Sequence, residues 1–207
     1  GFTIQEMADR IEGLLRSIGL IDNFAPLIYA IGHGSSSVNN THYAGYDCGA
    51  CSGRPGSVNA RVICHIGNHP GVRAILKERG ISIPEKTQFV GALQDTSRDE
   101  MMFYDLKVLN DQNFKFHHEN VAKFNKALSL NAKERSRRFI LTNTNNTAEK
   151  VHEKVKIRTV SLFEPRPELN HATNTLCIVG RREFSKNLFL DRRSFLNSFD
   201  YTNDPKG

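Results

Sequence analysis

The sequence predicts an α/β fold with a mainly parallel sheet flanked by helices. Residues 26–31 (PLIYAI), 87–93 (TQFVGAL) and 175–180 (TLCIVG) are short, nearly continuous apolar runs. Such runs suit strands buried on both faces, as parallel strands are. Between the runs lie segments whose apolar residues recur at helical spacing. Strand and helix patterns in alternation argue for parallel strands joined by helical crossovers.

The first segment, 3–19, reads as an amphipathic helix. Thr3 and Glu6 have the spacing of a capping box, and Ile4, Met7, Ile11, Leu14, Leu15 and Ile18 share one side. Gly19 is a natural stop. The strand expected at 26–31 runs into Gly32-His33-Gly34-Ser35, which reads as a glycine-rich turn at its C-terminal end. In open α/β sheets that edge is where ligands bind. Residues 34–57 are rich in Gly, Ser and Asn and carry almost no periodicity. A loop this long inside a compact domain is usually functional or disordered, and His42, Tyr43, Tyr46, Asp47 and Arg54 favour function here.

Two short helices are expected at 58–67 and 71–79, the second ended by Gly80. After the strand at 87–93 comes a polar turn, QDTSRDE. A longer basic helix is expected from Glu119 to Phe139, and Thr147 is a candidate cap for a helix over 148–157. The strand at 175–180 precedes a tail of mixed character. With no clear linker or internal repeat, the chain is expected to be a single α/β body over 1–207, with a metal-site loop at 32–56 and a basic, helix-rich second half.

Composition narrows the function classes. The 207 residues are 39% hydrophobic and 24% charged, which fits a globular chain rather than a disordered one. The 15 Gly and 7 Pro follow no period, so collagen-like and low-complexity classes are excluded. No apolar run approaches the roughly 18 residues that span a bilayer. The opening GFTIQEMADR lacks the apolar region of a signal peptide. The chain opens on Gly1 and closes on NDPKG, so it is expected to belong to a longer polypeptide.

Net charge is +6, concentrated in the second half. Residues 1–100 hold 9 Lys and Arg against 10 Asp and Glu, and residues 101–207 hold 19 against 12. A basic half could meet nucleic acid, an anionic membrane face or an acidic partner, although a solvated helix surface explains it most simply. KERSRR at 133–138 reads as such a solvated face. Nucleic acid is not expected, because interleaved aromatics or a recognition helix are missing.

The chemistry concentrates on His33, Cys48 and Cys51, with Asp47 adjacent. Zinc takes imidazole nitrogen and thiolate sulfur, and catalytic sites use three protein ligands plus an exchangeable position. The residues alone leave several readings open. Cys48-Gly-Ala-Cys51 could be a dithiol redox pair, though no clear helix follows it. His33 could be a hydrogen-bonded histidine of a tight turn. GHGSSS could cradle phosphate through backbone N–H groups, but it lacks a Walker lysine and fits neither GxGxxG nor GxSxG. Cys64 and Cys177 fall inside apolar helix and strand patterns and are expected to be small buried hydrophobes. His65 and His69 flank a helix end, and His117-His118 reads as a surface pair.

The run GHGSSSVNNTHYAGYDCGACSGRPGSVNARV at 32–62 resembles the DabA family, the zinc-containing subunits of inorganic carbon transport. The resemblance continues through NHPGVRAILKERGISIPEKTQFVGALQDTSRDE at 68–100 and RTVSLFEPRPELNHATNTLCIVGRREFSKNLFLDRRSFLNSFD at 158–200. The chain departs from the family pattern at Thr41, where Pro is usual, and near Phe163 and Leu169, where Trp is usual.

The resemblance implies a core, present here in part, like that of β-carbonic anhydrases. It implies a Zn2+ site of Cys, Asp, His and Cys, of which His33 and Cys48 are this chain's share. The first Cys, the Asp and its Arg partner would lie upstream, so no catalytic residue is expected in these 207 residues, and alone they should be inactive. Cys51 would not be a ligand. The implied chemistry is hydration of CO2 to bicarbonate, coupled to ion flow through a membrane-embedded, antiporter-like, proton-conducting partner (DabB-like). The chain would then sit peripherally on the cytoplasmic face of a bacterial cell membrane. The alternative is a non-enzymatic module of a larger assembly, with a structural zinc clip made by His33, Cys48 and Cys51.

Overall fold

The structure is a computed structural model that describes residues 1–36, 38, 54–139, 142–163, 176–190, 194–200 and 202. In chain order the elements are α1 (Ile4–Ser17), β1 (Leu27–Gly34), α2 (Ser57–Asn68), α3 (Pro70–Glu78), β2 (Gln88–Asp95), β3 (Glu100–Phe103), α4 (Asp111–Arg135), α5 (Ala148–Thr159), β4 (Leu176–Gly180) and β5 (Ser194–Ser198). They fall into two compact units. One comprises Gly1–Phe24, Gly71–Ile83 and Leu169–Gly207, and the other comprises Ala25–Pro70 and Pro84–Glu168.

In the first unit, α1 begins as its sequence requires. The Glu6 amide donates to Thr3 Oγ1 at 3.2 Å, and the Thr3 amide donates back to the Glu6 carboxylate at 2.8 Å. This reciprocal pair satisfies two of the N–H groups that a helix start leaves open. Ala8, Ile11 and Leu15 form the buried face of α1, and Gly19 ends the helix at φ +72°. Arg79 reaches back to Asp9 at 2.8 Å and Glu12 at 2.6 Å, tying the end of α3 to α1. β4 and β5 pair in parallel from Leu176 opposite Ser194 to Gly180 opposite Ser198.

The second unit holds the functional candidates. Its sheet has the order β1-β2-β3, with β1 and β2 parallel and β3 antiparallel to β2. Helix α2 covers one face. Gly91 lies against the Arg61 backbone and Gly67 against the Phe89 ring, at spacings where a side chain on either glycine would crowd its neighbour. Asn68 caps this contact, donating to the Phe89 carbonyl and accepting from its amide, both at 2.8 Å. Helix α4 covers the other face with aromatic contacts. Tyr29 meets Phe124 edge-on at 5.2 Å, and Phe103 meets His117 at 4.8 Å. Helix α5 packs against α4, burying Val151 and Val155.

The α/β class and the mainly parallel sheet agree with the sequence, and several details differ. The strand expected at 26–31 continues to Gly34, because β2 offers partners as far as Asp95: His33 pairs with Gln94 and Gly34 with Asp95. Helix α4 starts eight residues before the expected Glu119, where Asn110 accepts from the Asn113 amide at 2.8 Å. The four-residue β3 and the strand β5 were not legible as strands. Cys177, expected to be buried, is exposed on β4, whereas Cys64 is buried. His117, expected at the surface, is buried against Tyr29 and Phe103. Among the described residues, no helix is long and apolar enough to cross a membrane.

Candidate functional site

His33 is the penultimate residue of β1, half-buried and paired across the sheet with Gln94. A rigid strand, not a turn, therefore carries its ring. On either side Gly32 and Gly34 keep the strand slim, and Gly32 has a specific reason to be glycine. A Cβ there would lie closer than 3.0 Å to the backbone of Gly56 and Ser57. The chain entering α2 thus passes directly over β1, and the Gly56 amide donates to the His33 carbonyl at 2.7 Å.

The chain leaving β1 is held just as closely. The Gly34 carbonyl accepts from the Thr96 amide at 2.8 Å and from Thr96 Oγ1 at 3.0 Å. Ser35 Oγ pairs with Ser97 Oγ, both buried. The Asp95 carboxylate collects four donors: the Ser36 hydroxyl, and the amides of Ser36 at 3.3 Å, Ser97 at 3.0 Å and Arg98 at 3.2 Å. Farther along, the Val38 amide donates to the Thr159 carbonyl at the end of α5. Both ends of the segment that includes Cys48 and Cys51 are therefore fixed beside His33, one through Ser36 and the other through Gly56.

The turn after β2, which does the holding, is itself supported from below. Arg135 of α4 donates from Nε to Asp99 Oδ2 at 2.6 Å and from Nη2 to the Ser97 carbonyl at 2.5 Å. Asn131 donates to Asp99 Oδ1 at 2.7 Å. Asp99 and Arg135 are 1% and 3% exposed, so this ion pair is buried. Removing one member of such a pair typically costs about 3–5 kcal/mol, because the other charge stays buried without compensation. Asp99 also adopts φ +54°, a left-handed conformation that these bonds hold in place. From α5, His152 Nε2 bonds the Arg98 carbonyl at 2.8 Å while Nδ1 meets Ser129 Oγ at 3.0 Å. Burial works against the Glu100 carboxylate, but hydrogen bonds from Arg98 at 2.7 Å and Lys156 at 3.1 Å prevail and hold its pKa below the usual range.

Of the residues singled out by sequence, His33 and Arg54 are described, whereas His42, Tyr43, Tyr46, Asp47, Cys48 and Cys51 lie outside the described residues. Among the described residues, no group of three or more His, Cys, Asp or Glu could hold a metal ion. The donor chemistry fits zinc: His33 would supply imidazole nitrogen and Cys48 thiolate sulfur, a pairing that borderline-soft Zn2+ accepts. Sequence reasoning missed Asp95, Asp99 and Arg135. KERSRR reads as a solvated face, yet Arg135 points inward to an acid contributed by the polar turn QDTSRDE.

Comparison with known proteins gives one consistent answer. A family model described as probable inorganic carbon transporter subunit DabA matches residues 1–207. A relative of the same description from Azotobacter vinelandii is 67% identical over 207 residues, all of this chain and 24% of the relative. One from Nitrosospira multiformis is 56% identical over 210 residues, 23% of its length. One from Methylococcus capsulatus is 44% identical over 207 residues, 19% of its length. The chain thus spans a quarter or less of these relatives. No solved structure matches it.

Proposed function

The chain belongs to the DabA family, and from that membership we propose that it contributes part of a zinc site for CO2 hydration in an inorganic carbon uptake subunit. His33 and Cys48 are its two ligands. The observation that carries this reading is how the two ends of the segment bearing Cys48 are held. Ser36 is tied to Asp95 and Gly56 to the His33 carbonyl, so both ends are fixed near the one strand residue, among the described residues, that offers an imidazole.

Bound there, zinc would acidify water, lowering its pKa far below the bulk value to about 7 and making hydroxide available near neutral pH. The protein's own residues do the rest. β1 fixes the backbone position from which His33 projects, and pairing with β2 holds that position. Asp95 and Thr96 hold the exit from β1, and Gly32 and Gly56 let two backbones approach closely enough to hold the return. β1 is an edge of the three-stranded sheet among the described residues. The remaining two ligands, a Cys and an Asp, would come from elsewhere in the polypeptide. The 207 residues by themselves are accordingly inactive.

The relatives are named as subunits, which implies a larger assembly. The partner proposed is a membrane-embedded, antiporter-like, proton-conducting subunit, with this chain lying against the cytoplasmic face of the membrane. One feature supports a placement against the membrane, the basic excess of residues 101–207. The test is zinc-dependent CO2 hydration by the full-length polypeptide, with and without His33→Ala. Loss of both zinc and hydration supports the reading, and retention of both refutes it.

A further inference from the structure

We infer that Arg135 is a positioning residue for the His33 centre, although it lies on another element and approaches the site only from beneath. The inference rests on the zinc reading above and extends it to a residue that reading does not use. Its path is a continuous chain of hydrogen bonds. The guanidinium holds Asp99 Oδ2 and the Ser97 carbonyl at once, which fixes the turn after β2 at two points. That turn carries Asp95, Thr96 and Ser97, and these three side chains or amides grip Gly34, Ser35 and Ser36. Gly34 follows His33 directly.

Two features favour a role beyond generic stability. The pair is almost fully buried, at 1% and 3% exposure, and a buried ion pair is a poor way merely to gain stability. The planar fork matters as well as the charge: Nε and Nη2 serve two different acceptors, which a lysine ammonium on a flexible stem cannot match. Residues bonded directly to metal ligands commonly affect metal affinity strongly, and Arg135 acts one layer further out, through the turn that grips the residues after His33.

The experiment uses the full-length polypeptide and measures zinc retention against a competing chelator, together with the visible absorption of the Co2+-substituted protein. The variants are Arg135→Gln, Arg135→Lys, His33→Ala and, as a stability control, Leu128→Ala, which removes a buried apolar side chain of α4. Arg135→Gln should weaken zinc retention by up to about 10-fold, the low end of the range for groups bonded directly to ligands, and alter the Co2+ bands. Arg135→Lys should fall between it and the wild type. Leu128→Ala should lower the unfolding temperature with zinc retention and Co2+ bands unchanged. If Arg135→Gln does not accumulate, Arg135→Lys against Leu128→Ala carries the same comparison. Loss of zinc in His33→Ala, with wild-type retention and bands in the Arg135 variants, overturns the positioning role alone. Full zinc in His33→Ala overturns the metal reading and this inference with it.

Discussion

The amide of Gly56 donates to the carbonyl of His33 at 2.7 Å, although twenty-two intervening residues separate the two in sequence. This bond brings the start of α2 onto β1, and it exists only because Gly32 and Gly56 bring two backbones together without a Cβ between them.

Gly32→Ala therefore has a definite expected outcome. The new methyl would meet backbone, which cannot rotate away, so strand and helix start must separate. The expected cost is about 1–3 kcal/mol of stability, the usual scale for overpacking, accompanied by weaker zinc retention. Gly34→Ala is the contrast, because its Cβ would meet the Leu93 side chain at 3.2 Å, and a side chain can adjust. Thermal unfolding and metal content of the two variants, compared side by side, check this.

Cysteine reactivity should divide by environment. Cys64 is 5% exposed, and burial pushes its thiol up to about 11, so almost no thiolate forms at neutral pH. Cys177 is exposed. Alkylation of the native protein followed by peptide mapping should mark Cys177 quickly and Cys64 only after unfolding. Rapid native labelling of Cys64 would contradict the packing of α2 on the sheet.

Stability should also fall on mild acidification, in part through His117. Burial, reinforced by the neighbouring His118, lowers the pKa of His117 below its usual 6.5. The unfolded chain then takes up the proton first as pH falls, so this contribution is complete above about pH 6.5 and is lost progressively below it. His117→Gln should flatten the decline of the unfolding midpoint between pH 7.5 and 5.5, on the order of part of one titrating group. An unchanged slope would mean that His117 is not held neutral. In the native protein the Tyr29 hydroxyl and His117 Nδ1 are hydrogen-bonded at 3.0 Å, and burial raises the Tyr29 pKa.

Much of the fold could be read from local pattern, and the exceptions share a cause. Thr3 and Glu6 announce α1, Thr147 announces α5 by accepting from the Lys150 amide at 3.4 Å, and Gly80 ends α3 at φ +86°. These are interactions among near neighbours, which sequence spacing encodes. His33 stands out in the sequence by its place after an apolar run, but not as a strand residue. Its strand state depends on Gln94, sixty-one positions away. Arg135 sits in a basic run that reads as solvated, and only its long-range partner Asp99 turns it inward. Likewise β3 is a strand because Ala92, Leu93, Gln94 and Asp95 supply its partners, and nothing in EMMF alone demands it.

The most direct test of the account is zinc content in the full-length polypeptide carrying His33→Ala, Cys48→Ser or Cys51→Ser. The account predicts stoichiometric zinc in the unaltered protein and in Cys51→Ser, and loss of zinc in His33→Ala and Cys48→Ser. Zinc retained after His33→Ala or Cys48→Ser, or released by Cys51→Ser, would contradict it.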